Sequence, residues 1–214
     1  VKGSGVKGSG VKGSGVKGFT AKNLAISNRE SASDRCSRQH STKEDVTMSD
    51  LRFDERVVII TGAGGGLGRS HALELARRGA RILVNDPGSA VDGSGSSTFA
   101  ADRVVDEITA LGGIAAPNRD SVATPEGGQA IVQAALEAFG RVDVLINNAG
   151  ILRDKAFHHM DAAMIDSVID VHLKGALFVS QPAFRAMREQ GYGRIVNTSS
   201  ASGLFGNFGQ ANYG

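Results

Sequence analysis

The stretch Thr61-Gly62-Ala63-Gly64-Gly65-Gly66-Leu67-Gly68 follows the apolar run Val57-Val58-Ile59-Ile60 and precedes a helical pattern, which predicts a strand, a glycine turn and a helix start. The chemistry such a turn offers is anion binding. Gly62 lets the chain reverse tightly, Gly66 lets the backbone come up against a pyrophosphate, and Gly68 lets the helix pack on the strand. The phosphates then meet the free N–H groups at the helix N-terminus, where the helix dipole favours negative charge. On the glycines alone two other readings stay open. One is a tight turn with no ligand; the other takes Ala63 to Ser70 as a nucleoside-triphosphate loop, with Arg69 standing where that loop needs a lysine.

A second candidate group lies downstream. Asp86 ends the run Arg81-Ile82-Leu83-Val84-Asn85-Asp86, 18 residues beyond Gly68. A carboxylate at the end of the second strand can accept both hydroxyls of an adenosine ribose, and it repels a 2′-phosphate, so NAD is expected over NADP. The bland alternative is a solvated Asp in a loop. Asp120-Ser121-Val122 follows the third apolar run, where the Asp side chain and its neighbouring backbone could pair with an adenine amino group or cap a helix.

Positioning these groups requires an alternation of strands and helices. After the first strand, Gly68 to Gly79 is predicted as a helix with Leu67, Ala72, Leu75 and Ala76 at helical spacing and Gly79 as its C-cap. A helix is expected over Phe99 to Leu111, and a weak third strand over Ile114 to Asn118, where Pro117 suits an edge. Between Asp86 and Phe99, Pro87 to Ser97 is a long Gly/Ser-rich loop, read as an insertion at the surface or at the rim of the site. A helix over Gly127 to Phe139 and a strand over Val142 to Ile146 lead into Asn147-Asn148-Ala149-Gly150. Asp161 to Glu189 reads as one long helical stretch that Pro182 bends or divides. Arg194 to Thr198 is the fifth strand, and Ser199 to Ser202 opens a loop. The pattern predicts an α/β, doubly wound Rossmann fold with a parallel sheet and ligands at the strand C-termini.

Composition bounds the function classes. The 214 residues carry a net charge of +2, but nine Lys or Arg precede Met48 against four acids, so the remainder is net −3 and the basic character gives no argument for nucleic-acid binding. No apolar run nears the roughly 20 residues that span a bilayer, and no secretory h-region is visible, so no membrane partner and a cytoplasmic location are expected. The single Cys36 excludes an internal disulfide framework, and no metal site is expected. Residues 1–47 begin with a Val-Lys-Gly-Ser-Gly repeat and are expected to form a disordered leader, added or mistranslated upstream of Met48, with residues 48–214 as the dinucleotide-binding domain.

From Leu51 onward the chain resembles the short-chain dehydrogenases/reductases, through the glycine turn, the Asn147-Asn148-Ala149-Gly150 element and a Ser200 placed 13 residues before Tyr213. Three motifs in order and spacing leave the triphosphate loop without support. Within that family Leu51-Arg52-Phe53-Asp54, Val84-Asn85-Asp86, Asn147 to Phe157, Val171 to Gly175 and Ser199 to Tyr213 are similar to the (3R)-hydroxyacyl-CoA dehydrogenase domain of the peroxisomal multifunctional enzyme and its bacterial relatives.

The resemblance implies an oxidoreductase that passes hydride between a secondary alcohol, such as a 3-hydroxyacyl-CoA, and NAD. It implies Tyr213 as acid–base and Ser200 as the hydrogen-bond donor to the substrate oxygen. It also places His172 where many members carry a relay asparagine, and gives Leu67, Ser121, Val122, Asn148 and Gly150 a cofactor-lining role, largely through backbone groups. A free phenol, with pKa near 10, is a poor base at neutral pH, and in the family a lysine four residues after the tyrosine lowers it. That lysine would be residue 217. The chain is therefore expected to be truncated after the fifth strand, with a non-catalytic NAD-binding fragment as the alternative and a homo-oligomer as the full-length form.

Overall fold

The computed structural model describes residues 51–88, 92–94 and 99–214, all within one compact unit, Val46–Gly214. The expected leader, Cys36 and most of the Pro87 to Ser97 insertion lie outside the described residues. Five strands, β1 (Val57–Thr61), β2 (Arg81–Asn85), β3 (Ile114–Asn118), β4 (Val144–Asn147) and β5 (Arg194–Asn197), form one sheet in the order β3-β2-β1-β4-β5. Every pairing is parallel. Each crossover carries a helix: α1 (Gly66–Arg77), α2 (Ala100–Ala110), α3 (Pro125–Phe139), and α4 (Ala162–Ile169) followed by α5 (Gly175–Glu189). This is the doubly wound Rossmann arrangement, and its strand order reverses between β1 and β4, where such sheets open a crevice.

The two-residue period of a strand sorts the core. Val58, Ile60, Ile82, Val84, Val144 and Ile146 face α1 and α2, and pack with Ala72, Leu73, Ala76, Val104 and Ile108. Val57, Ile59, Leu83 and Leu145 face the other layer, against Ile131, Val132, Ala135, Val179, Ala183 and Met187 of α3 and α5. The central strands are covered on both sides, which is why they read as unbroken apolar runs rather than as alternating ones. Burying one such Ile or Leu contributes about 1.5–3 kcal/mol, so β1, buried along its whole length, anchors the domain.

Several elements differ from the sequence reading. Leu67 is exposed at 66%, and Leu73 takes the buried position on α1, because in the first turn it is Gly68 and not Leu67 that meets the β1 turn. β4 begins at Val144 rather than Val142. The long stretch after Asp161 is divided by a π-helical turn at Asp170–Lys174, while Pro182 lies buried inside α5 without ending it. A π turn adds one residue to the helical circuit and rotates the side chains it carries. Beyond β5 the chain forms a short helix, α6 (Ala201–Phe205), where only a loop was expected. β3 does lie at the sheet edge, with Pro117 opposite Val84. All four residues of β5 are exposed.

At the N-terminal end of the sheet, Asp143 is fully buried. It accepts from Val57 N–H at 3.0 Å, from Arg56 at 3.0 Å and from Arg141 at 2.8 and 2.7 Å. Burial alone would push this carboxyl up, but the Arg141 guanidinium, the Val57 amide and Arg56 outweigh it and hold the group below the usual carboxylate range. A folded-state pKa below the unfolded one stabilises the fold above the unfolded value near 3.9, and that contribution fades as pH falls through the folded value. Asp143→Ala should therefore cost about 2–3 kcal/mol in urea unfolding at pH 7, through an unpaired Val57 N–H and lost charge-assisted bonds. The difference between wild type and variant should shrink on acidification below pH 4; a difference constant with pH would contradict this role.

Candidate functional site

Each strand finishes on a polar residue. Thr61, Asn85, Asn118, Asn147 and Asn197 are the last residues of β1 to β5 and form a row across the C-terminal edge of the sheet. Buried amides and hydroxyls must find partners, and the four buried members of the row, with the exposed Asn197, bond one another and the loops above. Asn85 Nδ2 donates to Asn118 Oδ1 at 2.8 Å and to the Asp120 carbonyl at 2.9 Å, and Asn118 Nδ2 donates to Asp120 Oδ2 at 2.8 Å. Asn147 Nδ2 donates to Asn197 Oδ1 at 2.8 Å and to Ser180 Oγ at 2.9 Å. The sequence reading missed this row, although its signal is plain: VVIIT, RILVN, IAAPN, VLIN and RIVN each end an apolar run in a hydroxyl or an amide.

Between β1 and β4 the row closes into a clasp. Thr61 Oγ1 accepts from the Asn148 and Ala149 amides, both at 3.0 Å, while Asn148 Nδ2 donates back to the carbonyls of Thr61 at 2.9 Å and Gly62 at 3.1 Å. The clasp presses the Asn148 loop onto the glycine turn. Gly62 sits at φ +64 beneath Ala149, and a Cβ on Gly68 would collide with the Gly62 carbonyl and Asn148, so both positions exclude a side chain. Gly65 and Gly66 instead face open space, and Gly65, the N-cap of α1, provides no side-chain cap. The first amides of α1, including those of Gly66, Leu67 and Gly68, thus form a cradle with no capping side chain and no acid in the first turn, which fits a pyrophosphate.

Asp86 lies beside that cradle. Its Oδ2 accepts from Gly64 N–H at 2.8 Å and its Oδ1 from Gly88 N–H at 2.7 Å, leaving each oxygen a further lone pair for a ribose hydroxyl. Asp120 does not cap α3; Thr124 does, accepting from Gly127 N–H at 3.0 Å. Asp120 is instead fastened to Asn118. Ser121 Oγ accepts from Ala123 N–H at 3.2 Å.

Two cavities meet here. One of about 340 Å³ is lined by Gly62, Asp86, Ser121, Val122, Gly150 and Arg153. The other, about 530 Å³, is lined by Leu67, Asn148, Gly150, His172, Ser180 and Tyr213 among others. Val122, Ala149, Gly150, Ile151 and Val171 belong to both. The π turn brings His172 against the loop after β4: its Nε2 lies 3.0 Å from Ile151 N and 2.9 Å from Ile151 O, and its ring meets Tyr213 edge-on with centroids 4.9 Å apart. Gly150 permits that approach, since a Cβ there would overlap the imidazole. Asn147, only 8% exposed, keeps an Oδ1 without a partner at the floor of the larger cavity. Among the sequence-predicted residues, Gly66, Gly68, Asp120 and Ser200 do not line either cavity. Ser200 is the N-cap of α6 and accepts from Ser202 N–H at 3.2 Å.

Tyr213 is held in place by a second set of bonds. Gln210 accepts from Ser202 Oγ at 2.7 Å and donates to Asp154 at 2.8 Å, Asn212 donates to the carbonyls of Arg153 and Met164, and the Tyr213 amide donates to Gln210 O at 3.1 Å. None of these partners was read from the sequence.

The family model for short chain dehydrogenase matches residues 56–214, which takes in the whole sheet and both cavities. The chain belongs to the short-chain dehydrogenase family. It is 57% identical over 164 residues to peroxisomal multifunctional enzyme A of Dictyostelium discoideum, covering 77% of this chain and 36% of that protein. Of the solved structures, a short chain dehydrogenase from Mycobacterium avium aligns with TM-score 0.67 at 49% identity, over 75% of this chain and 57% of that one. A 7α-hydroxysteroid dehydrogenase complexed with NADH and 7-oxo glycochenodeoxycholic acid aligns with TM-score 0.68 at 31% identity, over 76% and 60%. The chain thus spans about a third of the length of the Dictyostelium protein and just over half of the Mycobacterium avium one. Family membership supports oxidoreductase chemistry with a nicotinamide nucleotide. No helix among the described residues is long and apolar enough to cross a membrane, and no group of metal-ligating side chains is present among them.

The geometry separates glycines that fill a contact from those that leave space. Gly68→Ala should lower the melting temperature by several degrees, since a Cβ against backbone forces shifts worth roughly 1–3 kcal/mol. Gly65→Ala should melt within about 2 °C of wild type, the scale of a surface substitution. Equal losses in thermal unfolding would contradict the placement of the turn.

Proposed function

We propose that the chain is the NAD-binding part of an alcohol dehydrogenase that oxidises a secondary hydroxyl, with a 3-hydroxyacyl-CoA as the substrate class. The observation that carries this reading is the junction of the two cavities at Gly150 and Ile151, with the Asp86 carboxylate in one and the Tyr213 phenol with His172 in the other. The adenosine ribose is assigned to Asp86, its adenine to Asp120, Ser121 and Val122, and the pyrophosphate to the amides over Gly62, Gly66, Leu67 and Gly68. Asn148 acts by clasping the turn, and Gly150 by leaving room for the imidazole. NAD, when bound, supplies the acceptor for the hydride that leaves the carbinol carbon.

The chain's own groups handle the proton and the oxygen. Tyr213 Oη takes the hydroxyl proton as the C–O bond gains double-bond character, and gives it back in the reverse direction. Ser200 is assigned to steady the negative charge on the substrate oxygen: its Oγ accepts from the Ser202 amide through a lone pair, which leaves its hydroxyl proton to donate to substrate. His172 engages the Ile151 peptide through Nε2, so a relay or water-holding role falls to Nδ1. The acyl-CoA class rests on the likeness to the Dictyostelium multifunctional enzyme. Association of the complete protein into a homo-oligomer is proposed on the exposed Leu173, Leu177 and Phe184 along the π turn and α5, a surface whose burial would be favourable. Cytoplasmic residence is proposed from the sequence, against the word peroxisomal in the name of the Dictyostelium relative.

NADH formation at 340 nm, with 3-hydroxyacyl-CoA of each configuration, tests the reaction. In a chain extended to carry a lysine four residues after Tyr213, Tyr213→Phe should lower kcat by at least about 100-fold. Asp86→Ala should weaken NAD about tenfold, the value of one or two hydrogen bonds to a charged group, and narrow the margin over NADP. A variant that binds NAD and NADP as wild type does would contradict the ribose assignment.

A further inference from the structure

Arg153 lines the smaller cavity together with Asp86 and Val122, and its guanidinium is left without a partner there. Among the described residues that side chain makes no hydrogen bond and no ion pair. The acids of the same lining and of the neighbouring chain are engaged elsewhere. Asp86 accepts from the Gly64 and Gly88 amides, Asp170 from Lys174 Nζ at 2.7 Å, and Asp154 from Gln210 at 2.8 Å. Asp92 accepts from the Ser94 amide at 2.8 Å and from the Ser94 hydroxyl at 2.6 Å, both at Oδ1. The N–H donors of a half-buried guanidinium therefore stay open on a cavity wall.

Both ends of the side chain are placed. The Arg153 carbonyl accepts from Asn212 Nδ2 at 3.1 Å, which holds the backbone that carries it. Its Nη2 lies against Gly93 in the loop that follows Asp86: a Cβ built on Gly93 would stand 3.6 Å from Nη2 and 3.2 Å from the Ile151 side chain. Arg153 thus reaches from the loop after β4 to the loop after β2, and Gly93 and Arg153 both line the cavity assigned to adenosine. The pyrophosphate amides lie elsewhere, since Gly66 and Gly68 line neither cavity. Asp86 answers the ribose hydroxyls, and Asp120, Ser121 and Val122 answer the edge of the base. What remains for a planar, weakly hydrated cation on this wall is the face of the base, because a guanidinium can lie flat on an aromatic ring.

We propose that Arg153 is a cofactor-binding residue that stacks its guanidinium on the face of the adenine in the smaller cavity. The inference rests on the NAD reading proposed above and adds to it a contact that the carboxylate and the backbone groups do not supply, one that selects an aromatic base over a bare phosphorylated sugar. It also sets one positive charge on the same lining as Asp86 and Asp170, which lowers the repulsion that an anionic dinucleotide meets there.

The test is an NMR titration of the chain with 5′-AMP and, separately, with ribose 5-phosphate, which lacks the base, reading the Arg153 Nε–H signal and the amides of Asp86 and Val122. 5′-AMP should move the Arg153 Nε–H upfield through the ring current of the purine, and ribose 5-phosphate should leave it in place. Arg153→Lys, which keeps the charge and loses the plane, should weaken 5′-AMP about fivefold, and Arg153→Ala by at least as much. An Arg153 signal that stays still while the Asp86 and Val122 amides shift, or an Arg153→Lys variant that binds 5′-AMP as wild type does, would overturn the stacking and leave the adenosine cavity standing. No shift at Asp86, Val122 or Arg153 at millimolar 5′-AMP would overturn the stacking and the adenosine assignment together, which keeps the two failures apart. The wild-type titration alone decides the matter if a variant does not fold.

Discussion

The Thr61–Asn148 clasp is the constraint on which the site depends. Parallel strands pair evenly along their length, but nothing in a sheet dictates how the chains leave their C-terminal ends. Here one hydroxyl accepts two amides from the loop after β4, and one carboxamide donates to two carbonyls of the turn after β1. The exchange satisfies backbone groups that would otherwise be buried unpaired where the strand order reverses. It also fixes the height of the glycine turn against Ala149 and Gly150. Both the amide cradle at the start of α1 and the His172 seat are therefore set by the same few bonds.

The two ends of the sheet use polar chemistry differently. At the N-terminal end Asp143 gathers two guanidiniums and a backbone amide around one buried carboxylate, a closed arrangement that serves stability. At the C-terminal end neutral amides pair along the row, and part of their capacity stays open: Asn147 Oδ1 is buried without a partner beside the larger cavity.

Much of the fold was legible because it rests on period and punctuation. Apolar runs of four or five residues ended by Gly, Asp or Asn placed the five strands, and Pro117 correctly put β3 at the edge. The long helix was misjudged because a π turn leaves no composition signal: Asp170-Val171-His172-Leu173-Lys174 reads as ordinary helix, while Pro182 offers a false boundary. Leu67 was counted as apolar helix face because periodicity does not say where a helix first touches its sheet. In the site, the glycine turn and Asp86 could be read from spacing, but the clasp could not, since Thr61 and Asn148 are 87 residues apart and bond through geometry that only the parallel pairing creates. Gln210 and Asn212, which hold the segment carrying Tyr213, were invisible for the same reason.

The central claim is that a dinucleotide lies across the C-terminal edge of β1, β2 and β4, and the most direct test is amide chemical-shift mapping of the chain titrated with NAD. The account predicts that the shifts concentrate at Gly64 to Gly68, Asp86, Ser121, Val122, Gly150 and Ile151, with Arg141 to Asp143 at the opposite end unmoved. No shifts at millimolar NAD, or shifts centred on the Asp143 end, would contradict it.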